Sequence, residues 1–134
     1  MELEGVVNAL RRIHAALVPG GLVVDTQPVS PRPPVDAGPA RLGTLDMSEW
    51  VETVAAVDEL CARTVDDGLF SVEEERTFVV VDTFDSGAEL IDDVPQWRGT
   101  KVSQALIERA AAASPPLAVS QEVRLRLLRA LDLR

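Results

Sequence analysis

The chain has 134 residues, 46% hydrophobic and 26% charged, which suits one soluble domain with its own core. A net charge of −9 argues against nucleic acid as a partner, because phosphate backbones recruit basic surfaces. No apolar run reaches the roughly eighteen residues of a membrane span, and a lone cysteine, Cys61, excludes an internal disulfide, so a cytoplasmic setting is expected.

The opening "MELEGVVNAL" is acidic and amphipathic, unlike a signal peptide. Val6, Leu10, Ile13 and Leu17 recur at helical spacing. Pro19 cannot continue that helix, and Gly20 or Gly21 can supply a left-handed terminal turn. "LVVDTQ", residues 22–27, is short, apolar and β-branched, as a buried strand would be. The glycines precede this strand, whereas a phosphate cradle follows a strand and opens a helix. "PGG" therefore reads as a turn.

Residues 28–43 hold five of the nine prolines and read as a Pro-rich loop leaving the strand. Ser48 is placed to cap a helix whose Trp50, Val54, Val57 and Cys61 share one face, ending near Gly68. "RTFVVVDTF", residues 76–84, is a predicted strand. Ser86 starts a short helix closed before Pro95, and "TKVSQALIERAAAA" forms another, up to the Ser-Pro-Pro break at 114–116. In "QEVRLRLLRAL", Val123, Leu125 and Leu127 alternate with Arg124 and Arg126, which predicts a strand with one wet face. A helix is the rival there, since Leu and Arg favour helices.

Charge is segregated along the chain. Fifteen acids between Asp46 and Asp93 face only Arg63 and Arg76, whereas from Arg98 onward seven bases outnumber three acids. The expectation is that the two halves neutralise each other, within or between chains. His14 has no triad partner at an obvious spacing, and Cys61 reads as a buried, inert thiol. The acidic runs at 73–75 and 92–93 lack a calcium-type loop and read as solvated faces.

The stretch "ALRRIHAALVPGGLVVDTQP", residues 9–28, resembles the fourth crossover helix and fifth strand of class I S-adenosylmethionine-dependent methyltransferases. More weakly, "EWVETVAAVDEL" resembles the next helix of that family, "RTFVVVDTF" the sixth strand and "VRLRLLRAL" the seventh. The resemblance implies an α/β fold with a small mixed sheet of about three strands. It also implies that strand 123–131 lies between strands 76–84 and 22–27, antiparallel to both. No glycine-rich loop follows a strand, so the cofactor-binding half has no counterpart, and S-adenosylmethionine would bind only if another chain completed the site.

Three functions are open on that basis: a non-catalytic homodimer or partner-binding protein, a truncated or split methyltransferase contributing the substrate side, and a small-ligand binder using the Pro-rich loop. Ligands in open α/β sheets bind beyond the strands' carboxyl ends, which makes Asp25, Thr26 and Gln27 the candidate substrate contacts. The missing neighbour of strand 22–27 makes Leu22, Val23 and Val24 a candidate dimer edge, with Val6, Leu10 and Leu17 as open apolar surface.

Overall fold

A computed structural model describes residues 3–132 of the chain, with side chains from Asn8 onward. In chain order the elements are α1 (Leu3–Ala16), β1 (Leu22–Pro28), β2 (Pro34–Ala37), β3 (Ala40–Thr44), α2 (Ser48–Asp66), β4 (Phe70–Phe84), α3 (Gly87–Asp93), α4 (Gln104–Ala112) and β5 (Leu117–Ala130). One turn of 3-10 helix, Val94–Gln96, follows α3. The protein is mixed α/β, with the strands in one open antiparallel sheet of order β1–β5–β2–β3, and β4 also paired with β5.

Strand β5 organises the sheet. Successive residues of a strand direct their backbone groups to opposite edges. Ala130 accordingly exchanges bonds with Gly20 and Gly21, at 2.9 and 2.8 Å, whereas Leu131 donates to Leu69 at 2.9 Å. β5 thus lies between β1 and β4, the order expected for strands 22–27, 123–131 and 76–84. The strand reading of 121–131 holds and the strand begins earlier, at Leu117. Its arginine face is not wet, however: Arg124 and Arg126 are only 12% and 15% exposed, because they turn to the carboxylates of Asp58 and Glu75.

The sheet has five strands rather than about three, because the Pro-rich segment folds as a hairpin. β2 and β3 pair antiparallel around Gly38, whose φ of 59° only glycine adopts readily, and β2 also pairs antiparallel with β5 through Val35 and Val119. Pro34 is the first residue of β2, where a missing N–H is tolerated. Two helix starts also differ from expectation. α2 begins at Ser48 and is led in by Asp46, whose carboxylate accepts from Ser48 N at 3.0 Å and Ser48 Oγ at 2.6 Å. α4 begins only at Gln104, because Ser103 caps it by accepting from Leu106 N.

The chain divides into two compact units. The first comprises Met1–Gln27, Thr53–Thr77 and Arg124–Arg134. Its core is Phe70, Leu128 and Ala130, against which Leu10, Leu17, Val23, Val65 and Leu69 pack. The expected turn is present: Gly20 has φ +84°, and a Cβ on Gly21 would lie 3.0 Å from Val18 O. His14 takes a structural position, edge-on to Phe70 at 5.4 Å with Nε2 2.8 Å from Leu131 O.

The second unit comprises Pro28–Glu52 and Phe78–Val123. Its core gathers Val35, Leu45, Phe84, Leu90, Val94, Leu106, Ala110, Leu117 and Val119. α3 and α4 meet at Gly87, where a Cβ would lie 1.9 Å from Ala110 O, so only hydrogen fits between the two backbones.

Candidate functional site

β1 is not buried on both faces, as its apolar β-branched composition suggested; with no strand beyond it in the sheet order it alternates, which separates the three candidate substrate contacts. Asp25 and Gln27 share the half-buried face with Val23, whereas Thr26 is exposed with Leu22 and Val24 on the other. Gln27 Nε2 donates to Asp25 Oδ1 at 3.0 Å, so these two polar groups partly satisfy each other. The glycine turn ahead of β1 has no amide to spare for a ligand. Gly20 N donates to Ala130 O and Gly21 N to Val18 O, both at 2.9 Å. The segment is a turn closed on the chain's own backbone, as expected from its place ahead of the strand.

Of the candidate dimer edge, Leu22 and Val24 are 48% and 60% exposed. Val23, Leu10 and Leu17 instead pack on the core of the first unit, and Val6 lies outside the described side chains. The apolar surface on β1 is therefore two residues wide rather than a helix-backed sheet face.

A charged cluster between α2 and β5 in the first unit was foreshadowed only by charge segregation. Arg124 makes a two-pronged contact with Asp58, at 2.7 and 2.8 Å. Arg126 lies 3.5 Å from Asp58 Oδ1 and 3.6 Å from Glu75 Oε2. Further along the strand, Arg129 donates to Glu73 Oε1 at 2.9 Å. The late bases thus meet the middle acids within the chain. The bond to Asp58 stabilises the charged form of Arg124 and pushes its pKa above the usual guanidinium value.

Asp58, Cys61, Val65, Val72, Glu75 and Arg126 are among the residues lining a cavity of about 260 Å³ beside this cluster. Burial pushes the Cys61 thiol up, and the carboxylates of Asp25 and Asp58 push it further, which disfavours the thiolate. His14 is engaged with Leu131 and Phe70. No group of three or more His, Cys, Asp or Glu among the described residues is arranged to hold a metal ion. No helix among them is long and apolar enough to cross a membrane.

The most open feature of the described residues is β4. Residues 72–79 are all exposed, including both the odd and the even positions. A strand covered on one face alternates; eight exposed residues in succession mean that neither face is fully covered over this run. Phe78, Val79 and Val81 are 43%, 62% and 55% exposed, a large apolar load for a strand in water. Among the described residues β4 pairs with β5 alone, which leaves its outer N–H and C=O groups unpaired by any strand. From Thr77 to Phe84 it carries no lysine, no proline and one charge, Asp82. The valine run was legible in the sequence, but its position on an open edge was not.

No protein-family model, no curated protein and no solved structure matches this chain.

Proposed function

We propose that this chain is a non-catalytic binding protein that recruits a strand, from a second copy or a partner protein, to the outer edge of β4. The observation that carries this reading is the bare run of β4 with Phe78, Val79 and Val81 exposed beside unpaired backbone groups. An added strand gains main-chain hydrogen bonds along such an edge and side-chain burial on both faces. The charged cluster favours a binding role over chemistry, because its arginines are committed to carboxylates and the nearby thiolate is disfavoured. The methyltransferase resemblance is retained as a proposal about ancestry, with any methyl transfer requiring a second chain to supply the cofactor site.

Two titrations test this. A peptide of residues 76–84, "RTFVVVDTF", is added to the purified protein as a strand probe, and amide exchange over β4 is followed. Saturable binding with slowed exchange at 77–83 is expected; no binding by a protein that also stays monomeric overturns the reading. S-adenosylmethionine added in a calorimeter should give no saturable heat. Binding at roughly micromolar concentration would show that the chain holds a cofactor site of its own.

A further inference from the structure

Resting on the edge-binding reading, the inference concerns which strand is recruited. We infer that the occupant of the β4 edge is β4 of a second copy, paired antiparallel about a two-fold axis through Val79.

Symmetry restricts the choices sharply. A two-fold axis perpendicular to the sheet makes the interface self-complementary, so residue i opposes residue j and j opposes i. It also keeps each residue on its own face, so opposed residues are both odd-numbered or both even-numbered. Each allowed register therefore has one residue of β4 on the axis, and the sequence around Phe78 discriminates among them.

With the axis at Val79, Val79 opposes its own copy, Val81 opposes Thr77, Phe78 opposes Val80, and Arg76 opposes Asp82. From Arg76 to Asp82 every apolar residue meets an apolar residue or a threonine, and the only base on the strand meets an acid; Glu74, already held by Arg76, falls opposite Phe84. An axis at Phe78 sets Glu74 against Asp82 and Glu75 against Val81. An axis at Thr77 sets Glu73, Glu74 and Glu75 against Val81, Val80 and Val79. An axis at Val80 sets Asp82 against Phe78 and Glu75 against Asp85. Like charges and charge-on-apolar pairs directly opposite one another are destabilising, and of these four registers only the one at Val79 keeps residues 76–82 clear of them.

The positions of the charged groups agree with this. Arg76 is 72% exposed and already holds Glu74 on its own strand, so the opposing Asp82 completes an acid–base–acid row across the interface. Glu73 would meet Asp85 at the end of the ladder, but Arg129 already neutralises it. The competing edge, β1, contains no base, so Asp25 finds no counter-charge in any register. At β3, Arg41 is bound to Asp36 on β2.

Light scattering from dilute to roughly 100 micromolar protein tests the pairing, with circular dichroism confirming that each variant folds. The wild type is expected to be a dimer. Val79→Lys should be monomeric, because it sets two ammonium groups against each other on the axis. Arg76→Asp and Asp82→Arg should each weaken the dimer about tenfold or more, and the double exchange should restore it. Val79→Cys in a Cys61→Ser background should form an interchain disulfide on oxidation.

A dimer that survives both Val79→Lys and the charge reversals overturns this interface but leaves self-association through another surface standing. A wild type that stays monomeric while binding the 76–84 peptide overturns self-pairing and assigns the edge to a strand of another protein. A monomer that binds neither overturns the edge reading as well.

Discussion

Single residues hold this structure at points where a side chain, or the lack of one, has no substitute. Gly20 needs φ +84° to turn the chain into β1, and Gly87 lets α3 touch α4 with no room for a methyl group. Gly20→Ala should cost about 1–2 kcal/mol of backbone strain. Gly87→Ala should cost about 3 kcal/mol or more, because its Cβ would meet a backbone carbonyl that cannot move alone. Urea midpoints of the two variants would rank them. Equal midpoints would mean that α3 and α4 do not pack as closely as described. Asp58 is the second such point, since Arg124 is only 12% exposed and depends on it. Asp58→Ala should cost about 2–3 kcal/mol by leaving that guanidinium short of a counter-charge. Adding Arg124→Met should recover a large part of the loss, which a double-mutant cycle in urea would measure.

At the scale of elements, capping and pairing decided boundaries that periodicity left open. α2 starts where the Asp46 carboxylate collects the Ser48 hydroxyl and N–H, and those two bonds hold Asp46 below the usual carboxylate range. A depressed folded value stabilises the protein above the unfolded value, and the gain is lost as pH falls through the folded one. The stability gap between wild type and Asp46→Ala should therefore be constant above about pH 5 and close toward pH 2. Urea melts across that range would show it; a gap that persists at the acid end would mean that the carboxylate charge contributes nothing. The strand at 70–84 was expected only from Arg76, with "EEE" at 73–75 read as a solvated acidic face. It continues back to Phe70 because Arg126 and Arg129 on β5 sit beside Glu75 and Glu73, turning an unfavourable run into cross-strand pairs. That partnership links segments far apart in sequence, which no local window contains.

For the whole molecule, β5 is the element on which the rest depends. It pairs with β1, β2 and β4, and it supplies Leu117 and Val119 to one core cluster and Leu128 and Ala130 to the other. A chain ending at Pro116 should consequently fail to fold rather than lose one edge. Near-random circular dichroism and the absence of a cooperative melt would be the expected result. A cooperative transition in that fragment would show that β1 to α4 form a core without β5.

The sequence by itself determined the class of the fold and most of its elements, because those depend on periods of two and 3.6 that a short stretch displays. It also determined a turn at Gly20 or Gly21, the burial of Cys61, and the complementary charge of the chain's two halves. Only the tertiary structure decided that a proline-rich segment becomes a hairpin, since β2 takes its ladder from β3 and β5. Only the tertiary structure, likewise, placed the apolar valines of β4 on an open edge rather than inside. A strand's own residues say how it alternates; which of its edges stays bare is set by the strands that arrive beside it.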